Sequence, residues 1–167
     1  MTSPTINIHA SCVVLAQAGN AFGAPRDAGI LILGGSGTGK SDLALRLIAM
    51  GALLVADDRC DLFVSSNTLR AAVPHVLAGM MEVRGVGIVH LPWQPDARIA
   101  LAVRLAEPAA IARLPDQARY RPPLPLDLPE QNLPHEIFIA PFHDSAAAKV
   151  LAAAAEFARH RHERSRI

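Results

Sequence analysis

GILILGGSGTGKSDLALRLI, residues 29–48, is the stretch on which the reading of this chain turns. Its centre, GGSGTGKS at 34–41, satisfies G-x-x-x-x-G-K-[ST], the loop that cradles phosphate groups in nucleotide-binding proteins. The apolar run at 29–33 predicts a buried strand, and 41–48 has helical character. Gly34, Gly35, Gly37 and Gly39 have no Cβ. Around Ser36 and Thr38 they let the backbone curl with its N–H groups inward. With the amino end of the next helix, those groups make an anion hole. Lys40 is placed to reach the β- and γ-phosphates, and Ser41 to put its hydroxyl on a nucleotide-borne Mg²⁺. A Gly/Ser surface turn with a chance lysine is the competing interpretation, and it leaves both flanks unexplained.

Composition narrows the rest. A chain of 167 residues suggests one domain, and a hydrophobic fraction of 51% is ample for a core. A formal net charge of +1 gives no case for nucleic acid as a partner. Cys12 and Cys60 are not a CxxC pair, so neither zinc nor a disulfide framework is indicated, and both read as small buried side chains. No stretch reaches the ~18 continuous apolar residues of a membrane helix. The start, MTSPTINIHA, lacks a basic segment followed by an apolar run. The expectation is a cytoplasmic protein with no membrane insertion.

The pattern along the chain predicts a strand at 11–16, a loop at 17–28, and a helix at 41–50 that Gly51 ends. A second apolar strand at 52–56 stops at Asp57-Asp58. A hairpin of 61–64 and 69–73 turns around Ser65-Ser66-Asn67. Pro74 begins a short helix over 74–81, followed by strands at 86–91 and 99–105. RYRPPLP at 119–125 cannot be helix or central strand and reads as a surface loop. A last strand at 137–140 precedes a helix capped by Asp144 or Ser145 and running to about 159. Its tail, RHRHERSR at 159–166, reads as a solvated basic end, with an acidic partner surface as the sharper alternative. Hairpins interrupt any clean β-α alternation. The expected fold is α/β, a P-loop nucleotide-binding fold with a mixed central sheet and the phosphate loop at a crevice.

Asp57 and Asp58 end the strand after the phosphate-loop helix, where such a fold opens its ligand crevice. Asp57 lies 17 residues beyond Lys40. That spacing suits small-molecule and protein kinases of this class, in which an early acidic residue accepts the proton of the acceptor hydroxyl. A strand-end pair facing solvent is the plainer interpretation.

Four segments in this order carry a further resemblance. They are Ile8-His9-Ala10, GGSGTGKSDLALRLI at 34–48, Leu54-Val55-Ala56-Asp57-Asp58, and Met81-Glu82-Val83-Arg84-Gly85-Val86-Gly87-Ile88. The chain resembles the C-terminal catalytic domain of HPr kinase/phosphorylase from about 8 to 158, in a short single-domain form. The resemblance implies an ATP- and Mg²⁺-dependent kinase acting on a serine of an HPr-like phosphocarrier protein, with phosphorolysis as the reverse activity. It implies Asp57 as the catalytic base and His9 near the transferred phosphoryl group. It implies Asp58 and Glu82 as supports for the metal beside Ser41, Arg84 and Gly85 at the protein-substrate face, and Arg113 in a mobile loop serving dephosphorylation. It also implies a homo-oligomer, a hexamer in the fuller form, which carries a separate amino-terminal domain. Two departures stand out. Leu91-Pro92-Trp93-Gln94-Pro95-Asp96 is a short link, and Pro141-Phe142-His143 stands where the family commonly has an arginine. Two other readings stay open: a small-metabolite kinase, and a nucleotide-binding regulatory protein without transfer activity.

Overall fold

The computed structural model describes residues 4–164. In chain order the strands are β1 (Thr5–Ile8), β2 (Ala10–Val14), β3 (Ala28–Leu33), β4 (Leu53–Ala56), β5 (Cys60–Ser65), β6 (Thr68–Ala72), β7 (Met80–Val83), β8 (Gly87–His90), β9 (Asp96–Leu105), β10 (Ala118–Arg119) and β11 (His135–Ile139). Helix α1 spans Lys40–Ala49 and α2 spans Ala146–Arg164. The main sheet runs β1-β5-β6-β9-β3-β2-β4, with β11 beside β9 and β10 on β11. It is mixed, as expected: β9 runs parallel to β3 and to β11, while the other pairings are antiparallel.

β3 is buried at all six positions, because both faces of the sheet are covered. Successive side chains alternate faces. Ile30 and Ile32 meet Leu43 and Leu47 of α1 and Val150 and Leu151 of α2. Leu31 and Leu33 face Leu62 and Leu69 of the β5–β6 hairpin. Each such side chain contributes about 1.5–3 kcal/mol by leaving water. Among the described residues no helix is long and apolar enough to cross a membrane.

Some expectations need correction. The proline-rich stretch at 119–125 is largely the surface loop expected, with Arg121 and Pro123 to Pro125 exposed, but Tyr120 is buried, and beyond the stretch Leu126, Leu128 and Leu133 close the second face of the sheet. The helix expected at 74–81 is only a 3₁₀ turn at His75–Leu77. Ala78 ends it in an extended conformation, Gly79 follows with φ 72°, and a Cβ on Gly79 would lie 2.7 Å from Trp93 Cδ1. The chain then enters β7, which pairs with β8 as a separate ribbon. β1 went unseen because it is a four-residue edge strand with half its positions exposed. The last helix also runs to Arg164, past the expected 159. Of the basic tail at 159–166, residues 165 and 166 lie outside the described residues.

Two short corners position the site. β1 pairs with β5 at one end of the sheet path, and β2 pairs with β3 and β4 at the other. Yet β1 and β2 are joined by His9 alone, and β4 and β5 by residues 57–59. The sheet must therefore curl until its two ends meet at these corners. β4 runs antiparallel to β2, which runs antiparallel to β3. The carboxyl ends of β3, β4, β9 and β11 thus share one rim, where ligands bind in open α/β sheets.

Candidate active site

Residues 34–39 leave β3 and turn sharply into α1. Gly39 caps the helix with φ 99°, a conformation costly to any residue with a Cβ. Thr38 braces the loop by donating its hydroxyl to the Gly35 carbonyl at 2.7 Å. Lys40 is buried, and its ammonium donates to the carbonyls of Gly34 at 3.0 Å and Gly35 at 2.8 Å. Burial pushes that ammonium below its ordinary pKa, and the carboxylates of Asp58 and Asp57 oppose the shift.

The acid pair divides its contacts. Asp57 Oδ1 accepts the Ser41 hydroxyl at 2.7 Å and the Ser11 hydroxyl at 2.8 Å. Asp58 Oδ1 lies 2.7 Å from His9 Nε2, across the two corners that close the sheet. Asp58 has φ 63°, in the left-handed region that aspartate tolerates better than most residues. Its side chain is 68% exposed. So the inner carboxylate is tied to the phosphate loop, and the outer one stands in solvent beside the histidine.

These groups line one cavity of about 740 Å³. It brings together His9, Ser36, Gly37, Gly39, Lys40, Ser41, Asp57 and Asp58, with Glu82 and Arg84 from the β7–β8 ribbon. Gly34, Gly35 and Thr38 form the loop behind this lining. Gly85 sits with φ 83° in the turn between β7 and β8, outside the lining. Arg113 is exposed beyond the 3₁₀ turn at Pro108–Ala110 and does not reach the cavity. Sequence reasoning missed Ser11, although a serine inside the apolar run Ala10–Val14 must find a partner once buried. It also missed Phe142, which lines the cavity from the β11–α2 connection.

The donors suit Mg²⁺, a hard cation that takes oxygen ligands and keeps several waters. Ser41, Asp58 and Glu82 would hold it. Ser41 gives its proton to Asp57, which leaves the hydroxyl lone pairs for a metal. Among the described residues no three His, Cys, Asp or Glu cluster as a ready-made cage.

The family described as HPr Serine kinase C-terminal domain matches residues 21–137. An HPr kinase/phosphorylase of Clostridium novyi is 50% identical over 64 residues, covering 38% of this chain and 21% of that protein. An HPr kinase/phosphorylase of Lactobacillus acidophilus is 34% identical over 120 residues, covering 65% of this chain and 37% of that protein. The chain thus spans a minor part of the length of these relatives. A solved structure of the Hpr(Ser) kinase/phosphatase from Coxiella burnetii superposes with a TM-score of 0.70 at 22% identity, over 95% of this chain and 99% of that one. At that identity the superposition speaks for the fold. The matched family takes in the phosphate loop, both acidic residues and the ribbon, and on that ground the chain belongs to the HPr serine kinase C-terminal domain family.

Proposed function

We propose that this chain transfers the γ-phosphoryl group of ATP to a serine hydroxyl of an HPr-like phosphocarrier protein, and that it runs the reverse phosphorolysis. The observation that carries the reading is the pair of hydroxyls, Ser41 and Ser11, that fix Asp57 beside the phosphate loop. Both load Oδ1, so Oδ2 is the oxygen left to take the acceptor proton. In transfer, the serine oxygen bonds to phosphorus, the bond to the ADP oxygen breaks, and the serine proton passes to Asp57. Lys40 exchanges its two loop carbonyls for phosphate oxygens. His9, held by Asp58, lies where it can steady the transferred group. Bound Mg²⁺ would neutralise charge between the β- and γ-phosphates. In phosphorolysis an oxygen of inorganic phosphate bonds to the phosphoserine phosphorus, the bond from phosphorus to the serine oxygen breaks, Asp57 passes a proton from the attacking phosphate to that serine oxygen, and pyrophosphate leaves.

Access favours a protein substrate over a small metabolite. None of residues 106–134, the long arginine-bearing segment, lines the cavity, so no lid of that kind folds over it. Arg84 and the exposed Ile88 stand at its rim as a docking face. The two free buried thiols, Cys12 and Cys60, fit a reducing cytoplasm. The test is incubation with ATP, Mg²⁺ and an HPr-like phosphocarrier, read by intact mass. A gain of one phosphoryl group is expected on the acceptor, and added phosphate should remove it with release of pyrophosphate. ATP binding with no change in acceptor mass would favour a regulatory protein without transfer.

The chain is also read as a homo-oligomer, on the pattern of the family. Val76 and Val86 are 78% and 73% exposed around the β7–β8 ribbon, apolar side chains suited to burial against another copy. Light scattering at micromolar concentration should report more than one copy, and a hexamer if the fuller form's assembly is retained. A monomer would overturn this assignment.

A further inference from the structure

The rim of the sheet has two sides. The strand order is β4-β2-β3-β9, with β11 beyond β9. The acidic residues leave β4 on one side of the phosphate loop, and Phe142 follows β11 on the other. Phe142 is 72% exposed, yet its ring lies against the loop: a Cβ on Gly39 would be 3.0 Å from Phe142 Cζ and 3.1 Å from Cε1.

The ring is not loosely placed. Arg46 of α1 donates Nη1 to the carbonyl of His143 at 3.2 Å and Nη2 to the carbonyl of Pro141. One guanidinium thus grips the residues on either side of Phe142. Asp42, one turn earlier on the same helix, pairs with Arg46 Nη2 at 3.0 Å. Val76, Leu114 and Leu124 are also exposed, but none of them lines this cavity.

We propose that Phe142 is the platform on which the nucleobase of the bound nucleotide stacks, and that Arg46 and Asp42 are its positioning residues. This rests on the reading of residues 34–41 as the nucleotide site. The nucleotide then lies across the rim, with its transferable phosphate toward Asp57 and its base toward Phe142. An aromatic face recognises the π-surface of a base and not its edges. The ring therefore separates nucleotides from base-free polyphosphates without choosing among bases.

The test compares Mg-ATP with Mg-bound inorganic triphosphate by calorimetry on the full chain. Phe142→Ala should weaken ATP about tenfold, the loss expected for one base–aromatic stack, and leave triphosphate unchanged. Phe142→Trp should keep ATP affinity and add a fluorescence signal, over that of Trp93, that ATP quenches and triphosphate does not. Arg46→Ala should lower the ATP-to-triphosphate preference as Phe142→Ala does, and Arg46→Lys should restore part of it. A purely structural role for Arg46 would weaken both ligands together. Unchanged ATP affinity in Phe142→Ala overturns the proposal, including the case where that variant loses only phosphorylation of the protein substrate. Equal weakening of ATP and triphosphate overturns it too. If the wild-type chain binds neither ligand, the phosphate-loop reading itself falls.

Discussion

Asp57→Asn is expected to keep ATP binding and lose serine phosphorylation by about 10²–10⁴-fold, the usual contribution of a general base. The amide has the shape of the carboxylate, and its oxygen can still accept the hydroxyls of Ser11 and Ser41. It cannot take up the proton of the acceptor serine. Phosphorolysis should fall as well, because the departing serine oxygen needs a proton from the same residue in that reaction. Single-turnover transfer read by intact mass gives the rate, and calorimetry gives the ATP affinity. Asp58→Asn serves as the contrast. Asp58 touches His9 rather than the phosphate loop, so its loss should alter the Mg²⁺ dependence before the chemistry. Near-normal transfer by Asp57→Asn would move the base role to Asp58. If neither variant changes transfer while ATP still binds, the acidic pair is structural.

Lys40→Ala is expected to weaken ATP by about 100-fold or more, because charge-assisted bonds contribute about 1.5–3 kcal/mol each. The fold should survive. Lys40 makes its two bonds to carbonyls of its own loop, and alanine suits the first turn of α1. A melting curve shows whether the variant is folded, and calorimetry reads the affinity. Unchanged ATP affinity would sink the assignment of residues 34–41. The variant also bears on the stowed lysine. Phosphate binding exchanges bonds to two carbonyls for bonds to anionic oxygens. Part of the measured loss is therefore offset by the bonds Lys40 gives up.

The residues that needed only their neighbours in the chain were legible in the sequence. The strand, loop and helix around 34–41 follow from an apolar run, spaced glycines and helical periodicity, all local signals. The hairpin at β5–β6 follows from alternation around Ser65-Ser66-Asn67, which the structure reproduces with Val64 opposite Leu69. The strand end at Asp57-Asp58 was equally plain. The failures came where a distant partner overrode local preference. The 74–81 helix gave way to a ribbon because Gly79 must pass beneath Trp93. Leu126, Leu128 and Leu133, beyond the proline-rich loop, carry no periodic signal, and only the uncovered face of the sheet draws them inward.

Within the site, the sequence by itself marked the phosphate loop and the acidic pair as candidates, because phosphate cradling and proton acceptance require particular side chains at particular spacings. Only the tertiary structure decided how they are shared out. Ser11 and Asp57 are 46 residues apart, and Arg46 and His143 are 97 apart. No periodicity encodes such pairs. They exist because the sheet curls until the corners at His9 and residues 57–59 meet, and because β11 lies beyond β9 on the opposite side of the loop. Closure of that sheet makes Asp57 the inner carboxylate and Asp58 the outer one, and it sets an aromatic ring against the phosphate loop on the side away from both.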